Sequence, residues 1–343
     1  MPALTIAIPT YNRNDALKNT IELLLPQLEP AVCVKVFDNC SDVAAADTLR
    51  AYAQANVTVV RNEVNVGMSG NFIKCFEQCE SEWLWVLGDD DLPAPNAVET
   101  ILGYTRAYPD VVFIKFDSNL SEYEEYNVED VVSVGQEQLI ENMKSFGNFL
   151  FLSSGVYRVS SITESIKNAY YFAATYAPQV ALVLDYTRTH HNSKTLYSRH
   201  SIVEWKKPVQ EQKWNDALLN KSLPDLVFLV ASDSVRSVFL RKMAVCHAYN
   251  YISGADTFKS YVHANEKERY NLAADYFSSH SFVTWAGRWH RASTLFSFFK
   301  VSALMLLCES RLANKLMKSI IPFNKMDRSI YNKFLYSVKD TRL

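Results

Sequence analysis

The sequence predicts an α/β fold built on a mostly parallel central sheet, and three observations predict it. Short apolar runs bounded by polar turns recur at Leu4–Ile8, Val32–Phe37, Val57–Val60 and Trp83–Leu87. Segments of helical period separate them, and strands joined by helical crossovers run parallel. Polar clusters follow three of the four runs, at Thr10–Arg13, Asp38–Asp42 and Asp89–Asp91. In an open α/β sheet these strand ends share the edge where ligands bind.

The elements follow in order. Leu4–Ile8 reads as a strand stopped at Pro9 and followed by the turn Thr10–Asn14, after which Leu17, Ile21, Leu24 and Leu28 mark one face of a helix. A second strand ends at Asp38, and a helix is expected over about residues 43–55. The third strand leads through Asn62–Gly70 into a helix with Phe72, Ile73, Phe76 and Cys79 on one face. That helix delivers the chain to the fourth strand and to Asp89, Asp90 and Asp91.

Three adjacent carboxylates repel one another, so either they face water or a cation sits among them. Oxygen ligands alone favour a hard ion, Mn2+ or Mg2+, which commonly accompanies phosphates. The plainer alternative is an acidic turn in which Asp91 caps a helix. The other two clusters favour a ligand. Asp38 can accept from the N–H edge of a base while Pro9 and Tyr11 pack on its faces. The Asn65-Val66-Gly67 turn allows close approach of backbone, and the acidic triplet suits a metal bridging a diphosphate. Such a set describes a site for a nucleotide sugar.

The spacing of Ile8–Arg13, Asp38–Asp42, Asn62–Asn71 and Gly88–Asp91 resembles that of the family 2 glycosyltransferases, which have the GT-A fold. The matching pieces cover about the first third of the chain. The Leu-Gly-Asp-Asp-Asp form is similar to that of bacterial abequosyltransferase-like members, which build surface polysaccharides such as O-antigen. The resemblance implies a nucleoside-diphosphate sugar as donor, with Pro9, Thr10, Tyr11, Arg13, Asp38 and Asn39 at the nucleotide. Asn65, Gly67 and Asn71 would join them, with Asp89, Asp90 and Asp91 at the metal and diphosphate. Ser153–Arg158 is similar to the segment lining the acceptor side. Tyr197–His200 resembles a weaker basic motif, which would bring Arg199 and His200 to the diphosphate. Two departures stand out: Gly88 replaces the first Asp of the common Asp-x-Asp-Asp pattern, and Gly70 replaces an arginine.

The implied reaction is an inverting transfer to a hydroxyl of a polysaccharide or lipid-linked saccharide acceptor, and it needs a general base. The acidic pair usual in the family falls at Pro178-Gln179, which cannot take a proton. Asp185 is the nearest carboxylate, with Glu164, Asp117 or an Asp of the triplet as alternatives. Cys75 and Cys79 lack further zinc-ligand partners and read as core, and His190-His191 reads as a solvated helix end. Two other functions share parts of this pattern. A sugar-phosphate nucleotidyltransferase would need a Gly-rich basic first loop, which Pro9–Arg13 is not. A non-catalytic nucleotide- or membrane-binding scaffold is the second.

With 343 residues and 48% hydrophobic content, the chain accommodates a GT-A domain over 1–205 and a helical C-terminal region over 206–343. Six irregularly spaced cysteines point to a reducing compartment. The first strand begins too early to leave room for a signal peptide, and no apolar stretch of about 20 residues occurs. A cytoplasmic protein is expected, peripheral to the inner face of the plasma membrane if its tail binds lipid. The net charge of −2 is uneven: from Arg288 onward there are 11 Lys or Arg against 3 Asp or Glu. That basic amphipathic tail suits an anionic membrane surface, or else it packs on the catalytic domain or on a second copy in a homo-oligomer. No nucleic-acid module accompanies the basic residues, so no nucleic-acid partner is expected.

Overall fold

The computed structural model describes residues 2–52, 56–120, 128–205, 222–245, 254–265, 269 and 292–321. The chain divides into two compact units, Met1–Glu211 with Phe228–Val235, and Gln212–Val227 with Arg236–Leu343.

The first unit is built on an eight-stranded sheet. Its strands are β1 (Leu4–Thr10), β2 (Val32–Asp38), β3 (Val57–Arg61) and β4 (Trp83–Val86). After a short β5 (Leu92–Pro93) come β6 (Val111–Asp117), β7 (Val131–Val134), β8 (Gly155–Arg158) and β9 (Lys194–Ser201). A two-residue β10 (Val203–Glu204) pairs antiparallel with β5 outside the sheet. The order in the sheet is β3-β2-β1-β4-β8-β6-β9-β7. β1 to β4 are mutually parallel, β8 runs against both β4 and β6, and β9 is parallel to β6. Both neighbours of β8 therefore end at the same edge as β1 and β2, while β8 begins there.

The strands read as continuous apolar runs because helices cover both faces. Leu17, Ile21 and Leu24 of the helix Asn14–Leu24 join Val98, Ile101 and Leu102 of the helix Ala97–Ala107 in one core with the sheet. The helix Gly67–Glu77 buries Phe72, Ile73 and Phe76, and Phe76 meets Tyr157 of β8 edge to face, with ring centres 5.0 Å apart. Of the helix expected over 43–55, Ala45–Thr48 is α-helical and Arg50–Tyr52 is a 3-10 turn, while 53–55 lie outside the described residues. The GT-A-like architecture expected from the sequence is present, a mostly parallel sheet flanked by helices.

The second unit has its own small core, in which Phe258, Tyr261 and Val262 pack with Val301, Met305 and Cys308. These come from the helices Gly254–His263 and Ala292–Leu307, with Cys308 one residue past the second, and Met317 of the helix Arg311–Ile320 packs against them. Of the basic tail expected from residue 288, positions 288–291 and 322–343 lie outside the described residues. No described helix is long and apolar enough to cross a membrane.

Candidate active site

Strand register sets polar residues side by side along one edge of the sheet. Thr10 at the end of β1 is paired with Asp38 at the end of β2, which is paired in turn with Arg61 at the end of β3. On the other side of β1, Ala7 faces Val86, and the Leu87 N–H still donates to the Ala7 carbonyl at 2.9 Å. The chain then leaves the sheet at Gly88 and brings the acidic triplet to the end of β1. There the Thr10 hydroxyl donates to Asp89 Oδ2 at 2.7 Å.

The cation among the three carboxylates is a guanidinium. Arg13 Nη1 lies 2.6 Å from Asp90 Oδ2 and 3.2 Å from Asp89 Oδ1. Asp91 turns the other way and accepts from the Ser153 hydroxyl at 2.5 Å. Ser153 Oγ in turn accepts from the Gly88 N–H at 2.8 Å, and the Thr20 hydroxyl donates to the Asp89 carbonyl at 2.9 Å. Burial pushes the Asp89 carboxyl up to about 6 despite Arg13 and Thr10. It pushes Asp91 up to about 7, with the Ser153 hydroxyl opposing. Asp91 is thus a 7% exposed carboxylate whose charge is poorly compensated by its surroundings.

Among the described residues, no three His, Cys, Asp or Glu side chains converge as a metal cage. Asp89, Asp90 and Asp91, expected from sequence to share one ion, are divided between Arg13 and Ser153. The donor chemistry still fits Mn2+ or Mg2+, because such ions are commonly held by one or two carboxylates and completed by water and phosphate oxygens.

Asp38 sits deeper than a base-reading residue needs to. It is fully buried, with Oδ1 accepting from the Ser41 N–H at 2.8 Å and Oδ2 from the Ala45 N–H at 3.1 Å and Arg61 Nη1 at 2.6 Å. Burial alone would raise its pKa, but the Ser41, Ala45 and Arg61 donors together hold it below the usual carboxylate value. Asn12 bridges the first two loops, accepting from the Asp42 N–H at 2.8 Å. Asn39 and Asn71 are buried braces: Asn39 Nδ2 donates to Asn65 Oδ1 at 2.8 Å, and Asn71 Nδ2 to the Phe37 carbonyl at 2.8 Å. Gly67 opens its helix at φ +76, a left-handed conformation that glycine adopts without strain. The flat group left facing outward on this side is Tyr11, 43% exposed.

This arrangement predicts an acid-sensitive loop. Asp38→Ala strands two backbone N–H groups, at a cost on the order of 3 kcal/mol; the half-exposed Arg61 pair adds little. The native pKa of Asp38 lies below its unfolded value of about 4, so its stabilisation is present above pH ~4 and is lost as pH falls through the native pKa. Urea unfolding between pH 7 and pH 3 should show a shallower acid limb for Asp38→Ala than for the wild type.

The other half of the edge carries Asp117 at the end of β6, two strands from β4. Ser153 and Ser154 precede β8, and Arg199 and His200 lie exposed near the end of β9. The Arg199 N–H donates to Asp130 Oδ1 at 3.0 Å, and the His200 ring lies edge-on to Tyr104. After β9 the chain returns to the acidic triplet, with Val203 facing Pro93 and Glu204 facing Leu92.

Asp185 is not on this edge. It lies in the later half of the helix Pro178–Thr189, in an ion pair of 2.5 Å with Arg188. Burial would raise its pKa, but donors from Arg188, Asn168 and Ser165 outweigh that and hold it low. Its surroundings make it a helix-packing carboxylate. Glu164 pairs with His190 at 3.4 Å beyond the far end of β8. Gln179 begins the helix and donates to the Leu150 carbonyl at 2.7 Å. Of the two cysteines expected in the core, Cys75 is buried and Cys79 only partly so, and His190 stacks on Tyr186 at 4.1 Å.

Three participants were missed in the sequence. Arg61 reads only as the polar end of a strand, and Thr20 reads as one position on an amphipathic helix. Ser153 falls in a recognised segment, but nothing local ties it to Asp91, 62 positions earlier.

A mostly parallel sheet flanked by helices, with polar loops gathered at the carboxyl ends of β1, β2 and β4, is the GT-A fold. Residues 5–159 match the model of glycosyl transferase family 2. An uncharacterized glycosyltransferase of Haemophilus influenzae is 31% identical over 111 residues, covering 32% of this chain and 37% of the relative. Abequosyltransferase RfbV of Salmonella typhimurium is 24% identical over 115 residues, covering 32% and 34%. The chain thus spans about a third of the length of the curated relatives it matches. Among solved structures, S. aureus TarS 1-349 in complex with UDP-GlcNAc superposes with a TM-score of 0.56 at 15% identity, covering 88% of this chain and 91% of that one. Mannosyltransferase PcManGT from Pyrobaculum calidifontis, in complex with GDP-Man and Mn2+, gives 0.50 at 13% identity, covering 98% and 85%. At such identities the likeness is one of fold.

Proposed function

We propose that the protein is a glycosyltransferase that moves a sugar from a nucleoside diphosphate to a hydroxyl of a polysaccharide or lipid-linked oligosaccharide. The observation that carries this reading is the meeting of Thr10, Arg13 and the acidic triplet at one sheet edge, beside the Asp38 loop. The family 2 match supports sugar transfer, and the Mn2+ and nucleotide sugar named with PcManGT support the same ligand class here. Tyr11 and the Asn65–Gly67 turn receive the nucleoside. Arg13, freed from Asp89 and Asp90, follows the negative charge of the diphosphate. A divalent cation held through Asp91 and a neighbouring carboxylate of the triplet would offset the charge on the departing nucleotide.

The acceptor belongs on the β8-β6-β9 half of the edge, and inversion requires a base there, within roughly 3 Å of the attacking hydroxyl. Of the carboxylates left open by the sequence, Asp117 ends a strand on this half, where its Oδ1 accepts from the Ser118 N–H at 2.9 Å, and Asp185 lies off the edge, paired with Arg188. Asp117→Asn should lower turnover by about 10²- to 10⁴-fold with donor affinity unchanged, and Asp185→Asn should leave the chemical step intact. The reverse ranking would return the role to Asp185.

A thermal-shift screen over UDP-, GDP-, CDP- and dTDP-sugars with Mn2+ identifies the donor, with UDP expected to stabilise most. Stabilisation by none of the four would remove the reading. Slow release of free nucleoside diphosphate without acceptor separates an enzyme from a scaffold. Pyrophosphate release from a nucleoside triphosphate would instead indicate nucleotidyl transfer.

A further inference from the structure

The helix Arg311–Ile320 in the second unit has two outward sectors of different chemistry. Leu312, Leu316 and Ile320 recur every fourth residue and therefore share a face; they are 81%, 59% and 65% exposed. Beside that stripe, on the adjoining sector, lie the exposed Lys315 and Lys318. The inward sector is already engaged in the unit itself: Asn314 is buried with Nδ2 directed to the Val262 carbonyl at 3.4 Å, and Met317 packs on the core. Among the described residues, the core of the unit is thus met by the inward sector and not by the stripe. The preceding helix ends with two more exposed leucines, Leu306 and Leu307, 70% and 59% exposed.

We propose that this helix lies in the headgroup region of an anionic lipid surface, with Leu312, Leu316 and Ile320 inserted and the adjoining cations on lipid phosphates. Charge selects the occupant. Over residues 292–321 there are four Lys or Arg and one acid, Glu309, which itself accepts from the Tyr261 hydroxyl. A symmetric contact between two copies would bring like-charged sectors together and leave them uncompensated. An anionic bilayer neutralises the cations and buries the stripe in one step. Ten residues make a helix of about 15 Å, which suits lying in the interface and not crossing it. Membrane attachment is independent of the sugar-transfer reading, and the experiment below does not use a sugar.

Flotation of the full chain with phosphatidylcholine vesicles, with and without phosphatidylglycerol, tests it. The wild type should float only with the anionic vesicles and detach in high salt. Leu312→Ala/Leu316→Ala/Ile320→Ala, which keeps helix propensity, should weaken binding by more than about tenfold. Lys315→Gln/Lys318→Gln, which leaves the stripe intact, should cost about fivefold for each charge. Circular dichroism and melting temperature verify the fold of both variants. Absence of wild-type flotation, or equal flotation of the leucine variant, would overturn the proposal. So would a dimer by light scattering that the leucine substitutions dissociate, since the stripe would then belong to a second copy.

Discussion

Asp91→Ala is expected to abolish the response of donor binding to Mn2+, and Arg13→Gln to move metal binding in the opposite direction. Asp91 is nearly sealed from water, and the Ser153 hydroxyl is the hydrogen-bond donor directed at it. A buried carboxylate with so little compensation gains more from a divalent ion than an exposed one does, because the attraction is screened less. Removing it should weaken nucleotide binding in the presence of Mn2+ by at least about 100-fold, or ~3 kcal/mol, and leave the metal-free affinity nearly unchanged. The Arg13 guanidinium touches both Asp89 and Asp90, so under the proposed mechanism an ion bound to either carboxylate would have to displace it. With Gln in its place, Mn2+ alone should bind about tenfold tighter, while the melting temperature of the metal-free protein falls because Asp89 stays buried without its partner. Calorimetric titration of Mn2+ with and without UDP measures both effects. An unchanged Mn2+ affinity in Asp91→Ala would remove the metal from the mechanism.

What the sequence disclosed follows from what is local. Strands β1 to β4 were legible because a parallel strand covered on both faces must be apolar along its length, and each is closed by a turn with few alternatives. The polar tips were legible for the same reason: charge concentrated at three strand ends has few places to go in a parallel sheet. The second half of the sheet was not. The insertion of β8 antiparallel between β4 and β6 depends on pairings across more than 40 residues, such as Phe113 with Tyr157, and no local period encodes them. Long-range contacts also hid Ser153, Arg61 and Thr20, whose side chains act on residues 20 to 69 positions away. The ion pair that Asp185 makes was legible in the sequence. Arg188 stands three residues on in the same helix, which is ion-pair spacing, and a carboxylate so paired is a poor proton acceptor. Asp117, at the close of an apolar run, repeats the pattern that made Asp38 and Asp89 conspicuous.

Gly88→Asp would introduce the pattern common at the head of the acidic motif in family 2 glycosyltransferases, and it is expected to damage the site. A Cβ at position 88 would lie 2.4 Å from Asp91 Oδ2 and 3.4 Å from Ser153 Oγ, closer to the carboxylate than any real contact. The Asp91 side chain has two rotatable bonds, and the Ser153 hydroxyl holds it where it is. To relieve the clash it must leave Ser153, forfeiting a hydrogen bond to a charged group worth about 2 kcal/mol, and with it the orientation that faces a metal. Lost support of that kind lowers metal affinity by about 10- to 100-fold. Because the damage comes from the Cβ and not from the added charge, Gly88→Ala should reproduce most of it, with Asp adding only the repulsion of a fourth carboxylate. Ser153→Ala, which removes the tether without adding an atom, should produce a similar loss of Mn2+ affinity, and combining it with Gly88→Ala should cost less than the sum of the two. Full additivity, or wild-type affinity in Gly88→Asp, would mean that Asp91 does not hold the ion from the position its hydrogen bond to Ser153 gives it.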